Sequence, residues 1–238
     1  MTRRKPKTTV DETQVWISPF PQDSTNQVPI DLFEEDRDLG SRQWTLLRYS
    51  TEAWPPEIPV PVFFSEYKNA EALKIPDIFK SKGSILMSER ARDVFAGVDM
   101  GRNEMIEVPL LDFKRTKRLA GRWFALRVLE RKEGIDLANS DTGTEEYMKP
   151  ASGDHVLIHA TGLSGQKFWS YRARSGFKPR KGVAVFRGTH EGVDLWYDPL
   201  LAQKAFFVTD RLYRALRAAK LKTRALHFVE AIMTGEEN

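Results

Sequence analysis

The chain has 238 residues, 41% of them hydrophobic and 29% charged, which is enough apolar material for a sizeable core and excludes wholesale disorder. It contains no cysteine, which excludes disulfides, thiolate metal sites and cysteine nucleophiles together. The net charge of +4, from 37 basic and 33 acidic side chains, permits an anionic partner but lacks the concentrated positive charge of a dedicated nucleic-acid binder.

The N-terminus reads Met1-Thr2-Arg3-Arg4-Lys5-Pro6-Lys7 and continues with polar residues, so the apolar run of an export signal is missing. No stretch approaches ~20 consecutive apolar residues, the length of a membrane span. A cytoplasmic chain without membrane association is expected. Residues 1–40 read as an irregular N-terminal extension, because Pro19, Pro21 and Pro29 interrupt any helix; Asp31 to Asp38 forms at most one short acidic helix. Trp44 to Tyr49 reads as a first strand. Trp54-Pro55-Pro56-Glu57-Ile58-Pro59-Val60-Pro61 reads as a connector on the surface or along a sheet edge, since each residue before a proline is pushed toward extended geometry.

Residues 85–108 and 206–229 align without a gap and share one physical grammar. Three apolar residues open each (Ile85-Leu86-Met87; Phe206-Phe207-Val208), and a hydroxyl residue follows, Ser88 or Thr209. Both are good helix N-caps, because their oxygens accept backbone N–H groups that the first turn leaves unpaired. Glu89 and Asp210 then place negative charge where the helix dipole favours it. Ala91, Val94, Phe95 and Val98 fall on one helical stripe, as do Leu212, Ala215, Leu216 and Ala219. A strand closes each unit, Met105 to Leu110 or Ala225 to Val229. Between the units, Trp123 to Leu129, His155 to His159, Lys167 to Tyr171, Val183 to Phe186 and Val193 to Tyr197 read as strands, with glycines as hairpin turns and a turn cluster at 138–143. The fold class expected is α+β with mostly antiparallel sheet and two similar strand–helix–strand units. Residues 41–238 form the expected domain, with a division into lobes 41–120 and 121–238 left open.

Convergent chemistry is sparse. His155 and His159 have metal-ligand spacing for a helix, but Val156-Leu157-Ile158 favour a strand, where residues four apart lie ~13 Å from one another. Gly162-Leu163-Ser164-Gly165-Gln166 departs from a nucleophile elbow at its last position. Glu34-Glu35 and Glu145-Glu146 read as solvated surface, and Lys114-Arg115-Thr116-Lys117-Arg118 as a solvated basic loop. No catalytic, cofactor or metal residues are assigned. One constellation supports partner binding: Trp169, Tyr171, Arg172, Arg174, Lys178 and Arg180 interleave aromatic and basic groups. Such a segment can stack bases and neutralise phosphates, can form a protein-binding hot spot, or can be an ordinary sheet strand.

Three segments resemble bacterial immunity proteins of polymorphic-toxin systems, the eleventh immunity class. They are Ile75-Pro76-Asp77-Ile78-Phe79 with Ile85 to Val94; Trp123 to Leu129 with Ile135 to Ser140; and Phe206 to Leu212 through Ala215-Leu216 to Leu226-His227-Phe228. The likeness spans roughly 42–231, departs at Lys222-Thr223-Arg224, where that family has a glycine, and finds no counterpart for residues 1–40. It implies a non-enzymatic protein without cofactors that neutralises a cognate toxin by direct binding in the producing cell's cytoplasm. Nucleic-acid binding through 167–181 is the alternative. Nuclease toxins are commonly cationic and call for an anionic inhibitor, so a +4 chain points toward a non-nuclease toxin, with Glu34, Glu35, Asp36 and Asp38 as the local exception.

Overall fold

A computed structural model describes residues 13–21, 27–32, 50–68, 74–81, 83–140, 182–201, 205–223 and 226–235, the single positions 40, 43, 44 and 47, and the backbone of 142–143, 154–161 and 167–174. In chain order the elements are β1 (Val15–Ser18), β2 (Ile30–Leu32), β3 (Phe63–Ser65), β4 (Ile78–Ser81), β5 (Ser84–Ser88), helix α1 (Glu89–Ala96), β6 (Glu104–Val108), β7 (Leu110–Leu111) and β8 (Trp123–Arg127). They continue with β9 (Thr142–Gly143), β10 (Asp154–Thr161), β11 (Lys167–Arg174), β12 (Ala184–Phe186), β13 (Leu195–Tyr197), helix α2 (Asp210–Ala218) after β14 (Phe206–Thr209), then β15 (Val229–Glu230) and β16 (Ile232–Thr234). The chain is α+β, and most pairings are antiparallel.

The sequence repeat is a tertiary repeat. One four-stranded sheet has the order β4-β5-β8-β6 and another β13-β14-β1-β15, with every neighbour antiparallel. Each unit is a hairpin (β4–β5 or β13–β14), a helix, and a strand at the far edge of its sheet. The strand between comes from elsewhere: β8 follows the first unit in sequence, whereas its counterpart β1 lies near the chain's start. Registers match as well, with Ser88 opposite Trp123 and Thr209 opposite Val15. The next residue of each unit repeats the pattern. Glu89 N–H donates to Arg122 O at 3.1 Å, and Asp210 N–H to Gln14 O at 3.0 Å.

Both helices start as the hydroxyl residues predict. Ser88 and Thr209 are N-caps with nearly identical backbone angles, accepting from Ala91 N–H and Leu212 N–H. Their own hydroxyls donate to Asp77 and Asp194, the residues just before β4 and β13. Each aspartate also grips the chain leaving the other unit's helix. Asp77 N–H donates to Lys222 O at 2.6 Å, and Lys222 N–H returns to the Asp77 carboxylate at 2.7 Å. Asp194 N–H donates to Asp99 O, and Asp99 N–H to the Asp194 carboxylate, both at 2.7 Å. The two caps thereby lock the two units reciprocally.

Strand alternation sorts side chains into layers. Ile85, Met87, Phe124 and Leu126 from one sheet meet Leu195, Tyr197, Phe206 and Val208 from the other in a core that also takes Ala91, Phe95, Leu212 and Leu216 from the helices. The intervening residues Phe79, Leu86, Trp123 and Ala125 face a second cluster with Ile30, Trp44 and Phe63. Val15, Ile17, Trp196 and Phe207 face a third with Ile135, Val183 and Val185. Over this second cluster lies the sheet β2-β3-β7; the parallel pair β12–β16 supplies Val185 and Met233 to the third.

Several sequence expectations differ from the structure. Residues 1–40, expected to be irregular, supply β1 and β2. The prolines end these strands instead of preventing them, since Pro19 follows β1 and Pro29 precedes β2. The expected acidic helix begins at Asp31, which lies in β2; residues 33–38 are outside the described residues. The expected strand at 44–49 is helical at its described positions Trp44 and Leu47. Trp44 is buried, with its indole N–H donating to Ser84 Oγ at 2.8 Å and its ring against Trp54 and Phe63. An apolar spacing of three fits a helix, and a six-residue window was too short to separate it from a strand. The expected strand 105–110 breaks at Pro109, which has no N–H to continue the ladder. Its carbonyl accepts Phe63 N–H instead, which passes β7 to a different sheet. Within the expected turn at 138–143, Thr142–Gly143 pairs with β10.

Gly134 is a place where the fold admits no Cβ. A methyl there would meet Thr189 Cγ2 at 2.2 Å and Oγ1 at 2.6 Å. Thr189 cannot swing away without losing its 2.8 Å bond to Phe186 O. Gly134→Ala is expected to cost about 1–3 kcal/mol through overpacking, and Thr189→Ala in the same chain should recover part of it. Urea midpoints of the single and double variants check this.

Candidate partner-binding surface

Charged groups within the molecule are engaged by backbone. Asp198 is buried and accepts N–H groups of Gly134 at 2.9 Å, Ile135 at 3.1 Å and Leu200 at 2.8 Å. Burial still pushes its carboxyl above the usual aspartate range. Lys132 donates to the carbonyls of Thr189 and Glu191 and lies 4.3 Å from the Trp196 ring centroid, where burial lowers its ammonium below the usual lysine value. Lys132 thereby holds the loop between β12 and β13, and Asp198 ties Gly134 and Ile135 to the turn after β13. On the surface, Arg122 bridges Glu89 at the start of α1 and Glu107 on β6, and the guanidinium holds Glu107 below its ordinary value of 4.5. A depressed carboxylate contributes stability above its unfolded value and loses it as pH falls through the folded one. Thermal midpoints followed from about pH 6 to about pH 3 should therefore drop more steeply for the parent than for Arg122→Gln.

The sequence candidates Trp169, Tyr171, Arg172 and Arg174 all fall on β11, which forms a hairpin with β10. Trp169 is opposite His159, Tyr171 opposite Leu157, Arg172 opposite Val156 and Arg174 opposite Asp154. The description of both strands extends to their backbone, and Lys178 and Arg180, like Ser164, lie outside the described residues. His155 and His159 share β10, so the strand separation that argues against a common metal applies to them.

Another surface emerges where the second helix ends. A groove of about 270 Å³ is lined by Leu216, Leu221, Leu226 and Phe228, with Arg217 and Lys220 at its rim. An aromatic row runs beside it. Trp16 stacks on Tyr213 with centroids 3.8 Å apart, and Tyr213 meets Phe228 edge-on at 5.3 Å. The Trp16 indole N–H donates to Asp210 at 3.0 Å, which fixes the ring. The helix carries a cation every third position, and their surroundings differ. Arg211 pairs with Asp194 and Arg214 with Asp210. Arg217, Lys220 and Lys222 have no carboxylate partner among the described residues. Sequence reading missed this surface because it treated Trp16 as part of an irregular extension and read α2 for its buried face alone. The signal available was the run Arg211, Arg214, Arg217, Lys220, Lys222.

What fold and surface define is an α+β chain of two like units, with a groove at the end of α2 that combines leucine and phenylalanine with Arg217 and Lys220. The Immunity protein family (Imm11) matches residues 17–158, more than half of the chain, and the chain belongs to that family. The match begins inside β1, earlier than the sequence likeness, and ends within β10, so it takes in the first unit and stops before the second. No curated protein matches the chain. An immunity family is one of toxin inhibitors, which agrees with a non-enzymatic reading. No described helix is long and apolar enough to cross a membrane.

Proposed function

We propose that this chain is a cytoplasmic immunity protein that neutralises the toxin encoded beside it by forming a stable complex. Family membership supports the reading. Inhibition by contact needs a rigid surface with aromatic and arginine anchors, which dominate binding hot spots, and the row Trp16–Tyr213–Phe228 beside Arg217 is of that kind. Co-expression should rescue cells from the neighbouring toxin gene, and the two proteins should co-elute with about 1,200–2,000 Å² of total buried surface. Absence of both rescue and complex would sink the reading.

A further inference from the structure

We infer that the groove at the end of α2 is the docking site for an acidic segment of the cognate toxin, one that presents a bulky apolar side chain flanked by carboxylates. The inference rests on the immunity reading and adds the partner's chemistry to it. Two observations converge. The groove's volume, about 270 Å³, is below the roughly 300–1,000 Å³ of small-molecule pockets and suits an anchoring side chain. Its floor is leucine and phenylalanine, while Arg217, Lys220 and the nearby Lys222 have no carboxylate among the described residues, so an acidic partner meets charges not already neutralised.

The ends of the two helices are closed by different groups. At the matching end of α1 the chain turns through Gly101, in left-handed geometry at φ 53°, and buries Met100 in the shared core. Asn103 then seals that end by donating to Leu195 O and accepting from Leu129 N–H, both at 2.7 Å. The end of α2 is closed by other groups: the Arg90 guanidinium donates to the carbonyls of Ala219 and Lys220, and Asp77 pairs with Lys222. There the left-handed residue is Lys220, at φ 48°, where glycine is the usual choice after a helix. Lys220, which lines the groove, thus holds a backbone geometry that glycine would adopt without strain.

Calorimetric titration of the full chain against the isolated toxin domain of the neighbouring gene tests the inference. Arg217→Glu with Lys220→Glu should weaken binding by about 100-fold or more, and Leu226→Asp by at least about tenfold. The control, Lys114→Glu with Arg118→Glu on the exposed loop after β7, makes the same change in net charge and should stay within about threefold. Lys220→Gly separates function from structure. Relief of the left-handed strain should raise the thermal midpoint, while the lost ammonium weakens binding by about fivefold. If the groove variants bind like a parent that itself binds, the docking surface is elsewhere and the immunity reading stands. If the loop control loses as much as the groove variants, net charge explains the effect and the docking site is likewise refuted. If the parent does not bind, both readings fall.

Discussion

Arg127→Ala is expected to lower stability by about 3–5 kcal/mol, the range for removing one member of a buried ion pair. Arg127 is the central case in this fold because its side chain is 0% exposed in the middle of a sheet. It sits opposite Glu104 in the β6–β8 register and pairs with that carboxylate. The second terminal nitrogen, Nη2, donates to the carbonyls of Leu47 and Glu52, both at 2.8 Å, and the Trp54 ring centroid lies 5.7 Å away. Glu104 in turn accepts Trp54 N–H at 3.0 Å. One cation thus pins the described residues Leu47, Glu52 and Trp54 to the first sheet. Its loss leaves a carboxylate and two carbonyls without their donor, and a cavity besides. Arg127→Met fills the cavity and isolates the electrostatic part, and adding Glu104→Met should restore much of the loss. A urea unfolding series measures all three variants. A loss under about 1 kcal/mol for Arg127→Ala would show that water reaches and solvates the vacated groups.

The paired aspartates give the second large effect, and their asymmetry is the informative part. Asp194→Ala is expected to cost about 3 kcal/mol and Asp77→Ala about 1–2 kcal/mol, since hydrogen bonds to charged groups contribute more when desolvated. Both accept an N-cap hydroxyl and a backbone N–H from the other unit. Asp194 is 0% exposed with Arg211 at 3.0 Å, whereas Asp77 is 14% exposed with Arg90 at 3.8 Å. Amide exchange offers a local readout: Asp99 N–H should lose protection in Asp194→Ala, and Lys222 N–H in Asp77→Ala. Equal or reversed losses would mean that the two caps are not equivalent devices differing in burial.

The strands that lead into the two helices, β5 and β14, were legible because each is short, apolar and followed by an acid after its capping hydroxyl, whereas the closing strand expected at 225–229 pairs only at Val229–Glu230. Trp123 to Arg127 was legible as a strand from its apolar, aromatic run alone. Its neighbours were not, because pairing depends on residues far apart in sequence. Nothing near Val15-Trp16-Ile17-Ser18 says that this segment fills, in the second sheet, the place that β8 fills in the first. Pro19, two residues beyond Ile17, made the segment read as irregular, although proline at a strand end is compatible with the ladder.

The candidate surface divides along the same line. Local sequence alone determined the family likeness, the α+β class, the two capped helices and which stripe of each is buried, since caps and apolar period act within a few residues. Tertiary structure decided which cations are already paired. Arg214 has Asp210 four residues before it on the helix, a pair the sequence could show, whereas only folding brings Asp194 against Arg211 and sets Arg217 beside the groove. A charge is neutralised by what stands near it in space, and for helical Arg211 that neighbour is Asp194, the residue just before β13.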